Sequence, residues 1–146
     1  MASDQTSKDF TPDITVLYCG RSLAEPDSAK QGTMQTDGCR VKLVLLPCSS
    51  KMEVPQMLHL LKQGADGLVL AACPEGACRF LVGNDRAAKR VEFARGLLEQ
   101  AGMGAARLVL DRGAGRDLDS LLALAQRQAQ EVGPLGPNPL KGVNAR

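Results

Sequence analysis

The sequence predicts an α/β domain: a four-stranded parallel sheet in a flavodoxin-like, three-layer sandwich. Two observations carry this prediction. Four short apolar, β-branched segments recur along the chain, and between them lie segments whose apolar residues return every three or four positions. A third observation, that cysteines fall at the ends of three of these segments, turns the fold prediction into a functional one.

Residues 13–19, DITVLYC, are followed at once by Gly20 and suit a buried strand. The same shape returns at 41–48 (VKLVLLPC), at 67–73 (GLVLAAC) and, more weakly, at 106–112 (ARLVLDR). Between the second and third strands, Val54, Met57, Leu58 and Leu61 follow helical spacing, and Gly64 stands where a C-terminal cap belongs. After the third strand and a turn-rich stretch, Ala87, Val91, Ala94, Leu98 and Ala101 mark a long helix, capped by Asn84 or Asp85 and ended by Gly102. A last helix, about 116–131, places Leu118, Leu121, Leu122, Ala125 and Ala129 on one face. The segment from 20 to 40 contains Pro26, Gly32 and Gly38 and is read as partly loop, with room only for a short helix. Residues 1–12 read as an extended polar arm, 13–132 as one domain, and 133–146, GPLGPNPLKGVNAR, as a Pro/Gly-rich tail that cannot bury itself.

Composition narrows the function. A hydrophobic fraction of 44 % against 23 % charged residues is that of a folded globular chain, and 146 residues suffice for one core. The formal charge of +2, with three Phe, one Tyr and no Trp, offers neither an electrostatic footprint nor stacking platforms for nucleic acid. No apolar run is long enough to span a bilayer, and the polar start MASDQTSKDFTPD lacks the apolar centre of a signal peptide, so a cytoplasmic location is expected. In that compartment five cysteines speak for metal binding or redox chemistry rather than structural disulfides.

Cys19, Cys48 and Cys73 end three successive predicted strands, so a parallel sheet brings them to one carboxyl edge, where open α/β sheets bind ligands. Cys78 follows Cys73 in a C-x4-C spacing, inside a loop that can fold back over that edge. Four thiolates together suit zinc or an iron–sulfur cluster. Zinc sites favour two tight cysteine knuckles, and the single close pair here favours a cluster held across several strand ends. The helix starting near Asn84 directs its N-terminal amides toward the same place. Cys39, before the second strand at its far end, is excluded. Ordinary core packing and thiol catalysis are the competing accounts of these cysteines.

Other candidates are weaker. His59, the only histidine, sits mid-helix and would have to act alone as a base. Arg86, Lys89, Arg90 and Arg95 are interleaved with Asp85, Glu92 and Glu99, as on a solvated helix face, with docking to an acidic partner as the alternative. Phosphate-binding glycine loops and hydrolase nucleophile motifs are absent, which argues against a nucleotide-driven or hydrolytic enzyme.

Residues 64–92, GADGLVLAACPEGACRFLVGNDRAAKRVE, closely resemble the delta subunit of methyl-viologen-reducing hydrogenase. The strand leading into C-x4-C, the Gly83–Asn84 pair and the Arg90–Val91 helix face all fall at that family's spacing. The resemblance implies a non-catalytic subunit with a 2Fe-2S cluster. It implies that single electrons pass between a hydrogenase or dehydrogenase module and the flavin (FAD)-containing, heterodisulfide-reductase-A-like subunit of a heterodisulfide-reductase-like complex, in an anaerobic metabolism. Carried over residue by residue, it implies Cys19, Cys48, Cys73 and Cys78 as ligands. Two departures stand out. Where the family has a second cysteine after the first strand, this chain has Ser22 or Leu23, and where it tends to have His beside the C-x4-C pair, this chain has Pro74 and Arg79. A cluster-less adaptor that bridges modules of such a complex is the alternative these departures raise.

Overall fold

A computed structural model describes residues 11–20, 23–25, 31–36, 38–46, 52–72, 83–113 and 115–140, for 83–85 the backbone only. The described chain is α/β, with a five-stranded mixed sheet and three α-helices. The strands are β1 (Asp13–Cys19), β2 (Gly32–Thr36), β3 (Cys39–Leu46), β4 (Gly67–Ala72) and β5 (Leu108–Arg112), in the order β2-β3-β1-β4-β5. The helices are α1 (Val54–Lys62), α2 (Gly83–Gln100) and α3 (Leu118–Val132).

The expectation of four parallel strands is corrected by β2. It pairs antiparallel with β3, while β3, β1, β4 and β5 run parallel to one another. β2 lies inside the segment read as partly loop. It alternates exposed and half-exposed residues, GTMQT, and so lacks the apolar run that marks an interior strand. Gly38, at φ +86°, turns the chain back, and β3 begins at Cys39 rather than at Val41 as expected.

Period-2 alternation assigns the two faces of the sheet. Ile14, Val16, Tyr18, Val41, Leu43, Val69 and Ala71 pack with Leu121, Ala125, Ala129 and Val132 of α3. Leu17, Leu46, Leu68, Leu70 and Leu108 pack on the other side with Met57 and Leu61 of α1 and Ala87, Val91, Ala94 and Leu98 of α2. These helix faces are the ones their spacing predicts. α2 starts at Gly83, so Asn84 and Asp85 fall inside its first turn instead of capping it. α3 is closed by a reciprocal cap: Ser120 N–H donates to Asp117 Oδ1 at 2.8 Å, and Asp117 N–H donates to Ser120 Oγ at 2.9 Å.

The amino edge of the sheet is tied by a buried polar network. Asp66, fully buried, accepts from the N–H of Asp13 at 2.7 Å and from that of Asn138 at 2.8 Å. Arg107, 1 % exposed, donates from Nε to Met103 O, from Nη1 to Asp66 O and from Nη2 to Gly136 O, at 2.9, 3.0 and 3.0 Å. Burial lowers the Arg107 pKa from its usual value, and the Asp66 carboxylate opposes that shift. Residues 136–138 are therefore tied to the domain, and Asn138, 2 % exposed, donates to the carbonyls of Leu61 and Ala65. Within 133–140 only Asn138 is buried, while Pro134, Leu135, Pro137 and Pro139 are exposed; the stretch is held by polar capture on carbonyls and a carboxylate, not by burying itself.

Candidate functional site at the carboxyl edge

Because β1, β3 and β4 run parallel, their last residues share one edge. Cys19 pairs with Leu46, and it stands one residue past the Tyr18–Ala71 pair, which brings it level with Ala72. By alternation Leu46, Cys19 and Ala72 all belong to the face covered by α1 and α2. The chain goes from β1 outward to β3 on one side and returns to β4 on the other, so Cys19 ends the strand at which the strand order reverses.

Cys19 is 3 % exposed and is not in a disulfide. Cys48, Cys73 and Cys78 lie outside the described residues; in sequence Cys73 directly follows Ala72, and Cys48 comes two residues after Leu46. Among the described residues no group of three His, Cys, Asp or Glu is gathered for a metal ion. Cys39 opens β3 opposite Thr36, at the amino edge and on the α3 face, seven residues along β3 from Leu46, the partner of Cys19, or roughly 23 Å along the strand. It is fully buried, and that burial raises its thiol pKa above 9.0. His59 is exposed on α1; on α2 Arg86 and Lys89 are exposed, while Arg90 and Arg95 are half-buried.

Leu23, one of the two positions where the resembling family places an extra cysteine, is 7 % exposed and packs in the α3-side core. The backbone beside it reaches across the edge: Leu23 forms a parallel bridge with Arg116, and Ala24 N–H donates to Arg116 O at 2.8 Å. Ser22 lies outside the described residues.

Sequence reasoning missed Arg116. It is 5 % exposed, and its side chain binds the edge at two places. Nη2 donates to Ala72 O at 2.8 Å and to Asp111 O at 3.0 Å, and Nη1 pairs with Asp111 Oδ2 at 2.9 Å. Gly113 permits this approach, since a Cβ there would sit 3.2 Å from Nη2, and Gly113 N–H itself donates to Ala72 O at 3.0 Å. Among the described residues, Arg116 Nε is the one buried side-chain nitrogen or oxygen without a hydrogen-bond partner. An orphaned buried donor costs about 1–3 kcal/mol. Arg107 at the opposite edge carries no such cost, because Nε, Nη1 and Nη2 all have carbonyl acceptors. Nothing in the sequence around Gly115-Arg116-Asp117 distinguishes this arginine from a surface one.

This edge thus offers a buried thiol, two flanking strands that lead into cysteines, and a desolvated guanidinium with a spare N–H. Such a frame fits a thiolate-held group with negative charge and hydrogen-bond-accepting sulfur.

Comparison with known proteins agrees with this chemistry. The family model of the methyl-viologen-reducing hydrogenase delta subunit matches residues 14–136. The vhu iron-sulfur D-subunit of the F420-non-reducing hydrogenase of Methanocaldococcus jannaschii is 33 % identical over 101 residues, covering 69 % of this chain and 75 % of that protein. Its namesake from Methanococcus maripaludis is 31 % identical over the same coverage. The A-subunit of the ferredoxin:CoB-CoM heterodisulfide reductase of Methanosarcina mazei is 25 % identical over 66 % of this chain, a match that occupies only 12 % of that longer protein. The chain belongs to the methyl-viologen-reducing hydrogenase delta subunit family.

Proposed function

We propose that this chain is a non-catalytic electron-transfer subunit in which Cys19, Cys48, Cys73 and Cys78 hold a 2Fe-2S cluster. Single electrons then pass between a hydrogenase or dehydrogenase module and the FAD-containing, heterodisulfide-reductase-A-like subunit of a heterodisulfide-reductase-like complex. The observation that carries this reading is the row Leu46–Cys19–Ala72: a buried thiol flanked, in register, by the two strands whose sequences run on into Cys48 and Cys73. When bound, the cluster supplies reversible one-electron storage, with charge, hydrogen bonds and exposure setting its potential. The protein's own part is to bury the thiol, hold the strand ends in register and present donors to sulfur.

The partners are supported by the relatives. Iron-sulfur subunits named for hydrogenases match most of this chain, and the match within a heterodisulfide reductase polypeptide places a similar sequence inside a longer protein of that name. The parallel strand order β3-β1-β4-β5, with helices on both faces, supports a flavodoxin-like reading of the fold. A cytoplasmic location is consistent with the described helices, none of which is long and apolar enough to cross a membrane. On the same reading the chain divides into an N-terminal arm (1–12), a domain (13–132) and a C-terminal segment (133–146).

Iron and acid-labile sulfide on the anaerobically purified protein test this reading. Two of each per chain, with a dithionite-induced EPR signal, are expected; a chain without iron contradicts it. A second reading, the cluster-less adaptor, draws on one observation: Leu23, which with Ser22 is one of the two candidate positions for the additional cysteine expected from the family resemblance, is built into the apolar core. On that reading Cys73→Ser leaves the activity of the complex intact, whereas deletion of residues 133–146 weakens assembly.

A further inference from the structure

The surface that α1 and α2 turn to solvent differs from an ordinary solvated face. An apolar groove of about 320 Å³ lies between the last turns of the two helices. Leu61 and Leu98, both buried, line it together with the half-buried Leu58, Leu97 and Met103. Leu140 lines it too, placed there by Asn138, whose Oδ1 accepts from the Leu140 N–H at 2.9 Å. The apolar surface runs on along α2. Phe93 stands four residues before Leu97, hence one turn away on the same side, and at 62 % exposed it is the most exposed large apolar residue among the described ones. Gly96, three residues on, has no side chain to cover the ring.

The charges around this strip are of one sign. Arg86, Lys89 and Arg90 stand seven, four and three residues before Phe93, so all three share its side of α2, and Arg86 and Lys89 are exposed. Lys62 ends α1 at the groove, and α1 contains no acidic residue. Glu92 and Glu99 fall on the far flank of α2, where Glu99 Oε2 accepts from the Ala105 N–H at 2.9 Å. A contiguous apolar strip with a charged rim marks a docking surface, and an aromatic residue beside arginines is the composition that interfaces favour.

We propose that this strip, from Arg86 through Phe93 to the groove between Leu58 and Leu97, docks an amphipathic segment of a partner subunit, apolar where it enters the groove and acidic where it passes Arg86 and Lys89. This inference rests on the reading of the chain as a subunit of a larger complex, and not on the cluster. A concave groove selects a polypeptide over a bilayer, because inserted side chains fill it whereas a flat lipid surface spans it. A second copy of the chain would set the same cations against one another, and residues 141–146, KGVNAR, carry two cations and no acid, so like charge opposes both as occupants. Burial of Phe93 and of the groove supplies the affinity; the cations set the partner's orientation and speed its approach.

Affinity purification of the tagged full chain from its own cells tests this, with p-benzoylphenylalanine placed at position 93 for photo-cross-linking. The expected cross-link joins that position to a segment of a co-purifying subunit that carries apolar residues and an excess of Asp and Glu. Without the cross-linker, Phe93→Ser and Lys89→Glu are each expected to reduce the amount of that subunit retained by about tenfold or more, at the parent's iron content. Glu92→Lys, on the far flank, is expected to retain it in full. A cross-link to residues 141–146, to a second copy of the chain or to lipid, or none at all, overturns the proposed surface, as does full retention of the subunit by both Phe93→Ser and Lys89→Glu; co-purification itself leaves the reading of the chain as a subunit standing. A tagged parent chain that purifies alone overturns that reading, and this inference with it.

Discussion

At the scale of single residues, the two described cysteines occupy opposite chemical situations. Cys19 lies at the carboxyl edge, beside the two strands whose sequences lead on to Cys48 and Cys73; Cys39 lies inside the α3-side core at the other edge. Burial raises the Cys39 pKa above 9.0, so the folded state keeps the thiol protonated after the unfolded chain has begun to ionise. The unfolded state then binds fewer protons, and this contribution to stability, present in full well below the ordinary thiol pKa, is lost as pH rises through the raised folded pKa. Urea unfolding at about pH 8 and about pH 10, either side of the unperturbed thiol pKa, should show a smaller loss of stability in Cys39→Ala than in the parent; equal losses contradict the assignment. Arg107 gives a second test at this scale. Arg107→Met leaves the carbonyls of Met103, Asp66 and Gly136 without their donor and should cost about 3 kcal/mol in denaturant unfolding. A cost below about 1 kcal/mol would mean that water replaces the guanidinium.

At the scale of elements, most of the fold was legible because its signals are local. The apolar runs of β1, β3 and β4 and the three-to-four spacing of α1, α2 and α3 each state in one segment what they bury. β2 was not legible: an edge strand that covers little of the core needs no apolar alternation, and its partner β3 supplies the order it lacks. The docking of residues 136–138 was hidden for a related reason, since its partners Leu61, Asp66 and Arg107 are distant in sequence. At the site, the placement of Cys19 at the carboxyl edge was legible from strand spacing alone. Arg116 was not, because its partners Ala72 and Leu23 meet it only across the folded edge. Element ends carry a prediction of their own. Asp117→Ala removes the acceptor for Ser120 N–H and should destabilise the domain by about 1 kcal/mol, read as a lower urea midpoint at unchanged slope. An unchanged midpoint contradicts the capping role.

At the scale of the whole molecule, the sheet divides its labour between its edges. The amino edge is closed by Asp66, Arg107 and Asn138, a network in which the segment after α3 takes part. The carboxyl edge brings together the ends of β1, β3, β4 and β5, and holds the one buried donor, among the described residues, that lacks a partner. The edges lie roughly 20 Å apart, a seven-residue strand's length, so damage to one need not reach the other. Deletion of residues 136–146 should therefore lower thermal stability while the protein keeps its iron; parallel loss of both would contradict the division.

That cysteines from three strand ends and one loop build a single cluster is the central claim, and spin-quantified EPR of the dithionite-reduced protein across five serine variants tests it most directly. Loss or alteration of the signal is predicted in Cys19→Ser, Cys48→Ser, Cys73→Ser and Cys78→Ser, and retention of the parent signal in Cys39→Ser. A parent-like signal in Cys19→Ser or Cys73→Ser would contradict it.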